Sequence, residues 1–104
     1  MGVPWGAPND LNTFLAMVNN VPKDWAWSAF SLGRNQMPYV AAAVLAGGNV
    51  RVGLEYNLMS SKGKLATNKT LVEKAVEIIE NLGAKILTPN EVRNKLNLTK
   101  RAPN

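Results

Sequence analysis

Two stretches of the chain read as strands, DWAWSAF at 24–30 and VRVGL at 50–54, and the segment between them is helical. Aromatic residues between turn residues mark the first, and alternation marks the second. Strands separated by a helical segment are joined as parallel neighbours through a crossover. A third strand, at most, is available in the glycine- and proline-rich opening GVPW. Two or three parallel strands leave the faces and edges of a sheet uncovered. The chain is therefore expected to be part of a larger α/β fold.

The helical signals surround these strands. Leu11, Phe14, Leu15 and Val18 recur at i, i+3, i+4 and i+7, with Asn9 or Asp10 as cap and Asn19-Asn20 as the end before Pro22. Pro38 suits the first turn of a second helix, YVAAAVLA, which runs to Gly47-Gly48 and is apolar nearly all round. Such a helix should be buried on more than one side. After NLMSSKGKLATN, read as a loop, Leu71, Val72, Ala75, Val76, Ile78, Ile79 and Leu82 form one broad stripe. Thr70 with Glu73 has capping-box spacing there, Asn68 is the alternative cap, and Gly83 fits the position after the end. KIL is a brief extended piece, and Thr88, Pro89 and Glu91 open a last helix. Residues 1–98 form the expected folded segment, and 99–104 are expected to be a disordered tail.

With 104 residues the chain has the size of one domain. Its start lacks the pattern of a signal peptide, and no stretch approaches the roughly 20 apolar residues that span a bilayer, so a cytoplasmic protein without a membrane partner is expected. The absence of cysteine excludes disulfides and thiolate metal sites. The absence of histidine excludes an imidazole base and an imidazole ligand within the chain. The net charge of +5 is concentrated after Glu55, but Glu73, Glu77, Glu80 and Glu91 are interspersed with the basic residues. Trp5, Trp25 and Trp27 lie apart from them and read as core or interface residues. Nucleic acid is not the expected partner, because that would need a basic stripe interleaved with aromatics.

The stretch GGNVRVGLEYN carries the strongest chemical signal. On an extended chain Arg51, Gly53 and Glu55 share one face, while Val52 and Leu54 share the other. A charged face backed by an apolar one suits a strand that lines a site, and Gly53 would leave a gap for a ligand or metal between the charges. The plainer alternative is an ion pair at a strand end. In LGRNQMP, Gly33 and Arg34 lie on a loop that could approach a substrate carboxylate or a phosphate.

Together, LGRNQMP, GGNVRVGLEYN and KGKLATNKTLVEKAVEIIENLGAKILTPNEVRNKL resemble the C-terminal end of the β-keto acid cleavage enzymes, whose named member is the 3-keto-5-aminohexanoate cleavage enzyme. The resemblance covers almost the whole chain. It implies about the last three βα units of a (β/α)8 barrel, with Glu55 at the C-terminal end of the eighth strand, where barrel catalytic residues sit. It implies a metal-dependent transferase reaction in which a β-keto acid and acetyl-CoA become a new CoA thioester and acetoacetate. It further implies Glu55 as a ligand of zinc or another divalent metal and Arg51 as the active-site arginine; Gly33 and Arg34, on a loop at what would be the catalytic end, are candidate substrate contacts, with a turn glycine and a solvated arginine as the plainer alternative. Two departures stand out. Tyr56 occupies the position of a family aspartate that works with the arginine in proton transfer, which would leave Arg51 without a close counter-charge. The family's His-x-His ligands are absent, so the chain alone is expected to be inactive and to bind no metal.

On this reading the chain is a piece of a truncated, frameshifted or incompletely read gene, or half of a split enzyme whose partner is a chain supplying the rest of the barrel, or a homo-oligomer. On its own the chain is expected to expose strand edges and the face of YVAAAVLA, and so to associate. The competing reading is a small, non-catalytic, basic binding or assembly module.

Overall fold

A computed structural model describes residues 1–101. Helix α1 spans Leu11–Asn19, strand β1 Ser28–Ala29, helix α2 Gln36–Leu45 and strand β2 Asn49–Val50. A hairpin of β3 (Met59–Ser61) and β4 (Lys64–Leu65) follows, then helices α3 (Asn68–Asn81) and α4 (Pro89–Leu96). β1 and β2 pair in parallel, Ser28 opposite Asn49 and Ala29 opposite Val50, with α2 as the crossover. The expected parallel connection is therefore present.

The strands are shorter than their sequence signals. Residues 24–27 do not enter β1, and pairing beyond β2 ends with the Arg51 N–H donating to the Ala29 carbonyl at 3.1 Å. The chain then turns, with the Tyr56 and Asn57 N–H groups both directed at the Gly53 carbonyl. GVPW is not a strand, nor is KIL, whereas the segment read as a loop contains the antiparallel hairpin β3–β4. Lys74 Nζ closes it onto α3, donating to the Ser60 carbonyl at 2.7 Å.

Asp10 caps α1, its carboxylate accepting from the Thr13 N–H at 2.8 Å. At α3 the cap is Thr67, with Thr70 bonding back to it, in place of the expected Thr70–Glu73 pair or Asn68. At α4 the reciprocal cap of Thr88 and Glu91 forms as the spacing predicts. Residues 99–101 are outside any helix or strand and exposed; the rest of the expected disordered tail lies outside the described residues.

Helix α2 is the organising element. One side of it, with Met37 and Val40, packs on Leu71, Ala75 and Ile79 of α3, and Val50, Val52 and Leu54 close that cluster. Its other side, with Tyr39 and Ala43, packs on Phe14 and Trp27. The all-round apolar pattern thus meets two cores, and the YVAAAVLA face expected to lie open is largely covered. Leu45, at its end, is the exception and stays exposed, and further exposed apolar surface lies at Trp5, Leu11, Leu15, Trp25, Leu58 and Leu65. Trp5 and Trp25 therefore do not join the core, and Trp27 packs edge-on to Phe14. Burial pushes the Tyr39 phenol above its ordinary pKa, with Asp10 adding to the effect.

The glycine pair after α2 serves two separate needs. Gly47 adopts φ +85°, the left-handed conformation that ends helices. Gly48 lies under the Trp27 ring, where an added Cβ would come within 2.3 Å of ring carbons. No helix among the described residues is long and apolar enough to cross a membrane.

Candidate functional site

The exit of β2 opens on a cleft of about 510 Å³ lined by Arg51, Gly53, Glu55, Tyr56, Asn68 and neighbouring residues. Val50, Val52 and Leu54 turn inward to the core while Arg51 and Glu55 turn to solvent. The expected division of faces holds, but its geometry differs. Glu55 stands on a turn, four residues after Arg51, and its carboxylate is 3.5 Å from the guanidinium. The pair is thus the local contact that the plainer alternative describes. Arg51 has a close counter-charge after all, in Glu55.

With side chains 58% and 75% exposed, the two charges hold each other weakly, since exposed pairs contribute roughly 0.2–1 kcal/mol. Either can turn to a ligand at little cost. Arg51 also lies beside an aromatic pair. The Phe30 and Tyr56 rings stack at 4.1 Å between centroids, and the guanidinium is 5.2 Å from Tyr56 and 6.0 Å from Phe30. The rings limit where Arg51 can swing and give it a cation–π contact.

Three separate elements hold the turn that carries Glu55. The Gly33 N–H donates to the Tyr56 carbonyl at 2.7 Å from the 3₁₀ turn Gly33–Asn35. Gln36 Nε2, at the start of α2, donates to the Gly53 carbonyl at 3.2 Å. The Leu54 N–H donates to Asn68 Oδ1, at the start of α3, at 2.9 Å. Asn68 also closes the gap expected at Gly53, because its Oδ1 lies 3.4 Å from where a Cβ would stand. The turn is thus held by the chain's own groups.

Gln36 and Asn68 escaped the reading from sequence as site residues. Asn68 was legible only as a possible cap, and Gln36 only as part of a polar loop. Gln36 is 1% exposed, and its Oε1 is buried without a hydrogen-bond partner among the described residues. Gly33 reaches the site through its backbone, whereas Arg34 is exposed on the 3₁₀ turn and does not line the cleft.

The donors present do not form a metal site by themselves. Among the described residues no three His, Cys, Asp or Glu side chains gather, and the chain has neither histidine nor cysteine. Glu55 could be one ligand of a centre whose other donors come from elsewhere; a catalytic zinc site takes about three protein ligands.

A parallel βαβ unit with charged and aromatic side chains at the exit of its second strand defines a segment of an α/β protein with a site at its strand ends. The family model described as beta-keto acid cleavage enzyme matches residues 1–98, and the chain belongs to that family. A 3-dehydrocarnitine:acetyl-CoA trimethylamine transferase of Rhizobium meliloti (strain 1021) is 72% identical over 101 residues, covering 97% of this chain and 34% of that protein. A 3-keto-5-aminohexanoate cleavage enzyme of Acetoanaerobium sticklandii is 36% identical over 101 residues, covering 96% of this chain and 37% of its own length. A 3,5-dioxohexanoate:acetyl-CoA acetone transferase of Paraburkholderia graminis is 44% identical over 77 residues, covering 73% of this chain and 25% of its own length. The chain thus spans about a third of the length of such relatives.

Proposed function

We propose that this chain is the C-terminal segment of a (β/α)8-barrel β-keto acid cleavage enzyme, bringing Arg51 and Glu55 to a catalytic cleft that the rest of the barrel completes. The reaction joins a β-keto acid with acetyl-CoA and releases a CoA thioester and acetoacetate. The substrate we infer is 3-dehydrocarnitine, a β-keto acid bearing a trimethylammonium group. The observation that carries this choice is the 72% identity to the relative named for that substrate, against 36% and 44% for relatives named for others.

Within the cleft, Arg51 pairs with the oxygen on which negative charge develops as the keto acid is enolised or cleaved. Its exposure and weak tie to Glu55 leave it free to do so. Gly33, Gln36 and Asn68 keep the supporting turn in place, so little order has to be gained on binding. Glu55 is the one ligand this chain offers to zinc or another divalent metal, whose role would be that of a Lewis acid. Arg34, exposed on the 3₁₀ turn outside the cleft lining, remains a candidate contact for a CoA phosphate, while Gly33 acts by holding the turn.

Tyr56 favours a second reading. It stands where the resemblance puts an aspartate, and its ring is engaged with Phe30. A chain that has lost the base would act as a non-catalytic binding module, drawing on its charge of +5 for a salt-sensitive partner.

The test is reconstitution with the part of the Rhizobium meliloti relative that this chain does not match. Acetyl-CoA-dependent consumption of 3-dehydrocarnitine is expected, faster than that of 3-keto-5-aminohexanoate. Arg51→Ala and Glu55→Gln should each lower it by about 100-fold or more, the scale of one lost transition-state contact. An assembled complex that turns over neither substrate, with or without Tyr56→Asp, would sink the catalytic reading and leave the binding module.

A further inference from the structure

Phe30 follows β1 and Tyr56 lies on the turn after β2, yet their rings stack at 4.1 Å between centroids with 28° between the planes. The Arg51 guanidinium is 5.2 Å from the Tyr56 centroid and 6.0 Å from that of Phe30. A cation beyond the outer face of Tyr56 would stand from Phe30 at nearly the sum of the stacking distance and its own distance to Tyr56. Arg51 therefore lies beside the stack, and the side of Tyr56 away from Phe30 is left without a cation. Tyr56 lines the cleft together with Asn68 and Val72, whereas Phe30 lies behind it and does not.

The cleft thus brings together a guanidinium, a carboxylate loosely paired to it at 3.5 Å, and a ring backed by a second ring. A ligand of one charge sign gains from one of the two charged groups and is repelled by the other. A small zwitterion gains from both. Its acid end turns to Arg51, and its cation is drawn to Glu55 and to the negative face of the ring. The lining also suggests which cation. Asn68 Oδ1 already accepts from the Leu54 N–H. A primary ammonium brings three N–H donors that need acceptors, whereas a quaternary ammonium brings none and is held by aromatic faces. The ring of Tyr56 and the half-exposed Val72 offer it apolar contact, and Glu55 supplies charge alone.

We propose that the Tyr56 ring, backed by Phe30, seats the quaternary ammonium of a small zwitterion and sets the preference for a trimethylammonium keto acid over one bearing a primary ammonium. This rests on the reading of 3-dehydrocarnitine as substrate, and it names the residue that recognises the charged end. Standard bond lengths put about 5 Å between the carboxyl carbon and the nitrogen of such a ligand. It can therefore reach both the guanidinium and the ring, which stand 5.2 Å apart. Tyr56 then has a use that requires no proton transfer. Where an aspartate would offer hydrogen-bond acceptors, it offers a π face.

The experiment titrates the full chain with L-carnitine, in which a hydroxyl replaces the reactive ketone, and reads the Tyr56 ring protons by NMR. Saturable shifts are expected, and Tyr56→Phe should keep the affinity. Tyr56→Leu should weaken it about tenfold, the scale of a desolvated cation–π contact. On the wild-type chain, where folding is not in question, the isostere with a tert-butyl group in place of trimethylammonium should bind about tenfold more weakly as well. Equal affinity for L-carnitine and its isostere, or no saturable shift, would overturn the ammonium site. In the reconstituted enzyme, turnover of 3-dehydrocarnitine with a KM unchanged by Tyr56→Leu would overturn the ammonium site and leave the catalytic reading standing. Binding of L-carnitine that is lost in Tyr56→Leu, with no turnover on reconstitution, would support the ammonium site and overturn the catalytic reading alone.

Discussion

Helix α3 opens on a reciprocal cap between Thr67 and Thr70, and helix α4 on the same device between Thr88 and Glu91. Each is followed by a left-handed residue, Gly83 after α3 and Asn97 at the end of α4. Their fates then diverge. α3 buries Leu71, Ala75 and Ile79 against α2, while α4 buries no residue and leaves Val92 and Leu96 exposed. Capping decides where a helix begins, because the four orphan N–H groups are local. Docking depends on what apolar surface the rest of the fold presents. α3 meets α2; α4 meets solvent.

The difference predicts a hierarchy of effects. Leu71 is fully buried, so Leu71→Ala should cost about 2–5 kcal/mol in urea unfolding. Leu96→Ala, on the exposed face of α4, should stay within roughly 0.5 kcal/mol. Equal losses would mean that α4 is docked. Gly48→Ala drives a Cβ into Trp27 and should cost about 1–3 kcal/mol, with Trp27 fluorescence reporting the displaced ring.

Cap removal comes next. Thr67→Ala and Thr88→Ala should each remove about 1 kcal/mol from their helices. Loss at Thr67 should reach the whole core, whereas loss at Thr88 should appear only as faster amide exchange within α4. Global destabilisation by Thr88→Ala would break the comparison.

The smallest effect is in pH. Glu91 is held below the usual carboxylate range, first by the Lys85 ammonium and then by the Thr88 N–H. Asp10 is held below it by the Thr13 N–H and hydroxyl. A carboxylate whose folded pKa is depressed contributes stability above its unfolded pKa and loses it as the pH falls through the folded value. Acidification below the ordinary carboxylate range should therefore fray the starts of α1 and α4. The cap of α3 is made by threonines instead, so the protection of its first amides, after correction for the intrinsic pH dependence of exchange, should change less over that window.

Much of this was legible because it is local. Helices α1 and α4, the cap at Thr88, the glycine after α3 and the parallel relation of the two strands follow from residues within a few positions of one another. The α3 cap was misplaced because three candidates, Thr67, Asn68 and Thr70, lie within four residues, and only the path of the preceding chain selects one. The hairpin β3–β4 was missed because SSKGK looks like any polar loop until α3 supplies Lys74 to hold it. At the candidate site, Arg51 and Glu55 were recognisable as residues, but their relation was not. Alternation assumes an extended chain, and the chain turns at Gly53.

By itself, then, the sequence determined which segments are helical, that β1 and β2 run parallel, that no imidazole or thiolate chemistry arises within the chain, and which family it belongs to. Periodicity, capping and composition act over one or two turns of chain, so they can be read without a fold. Tertiary structure alone decided how short the strands are, that Asn68 fills the space beside Gly53, and that Phe30 meets Tyr56. It also decided that α2 serves two cores. Each of those outcomes joins residues more than ten positions apart, and depends on which surfaces are left to be covered once the local elements have formed.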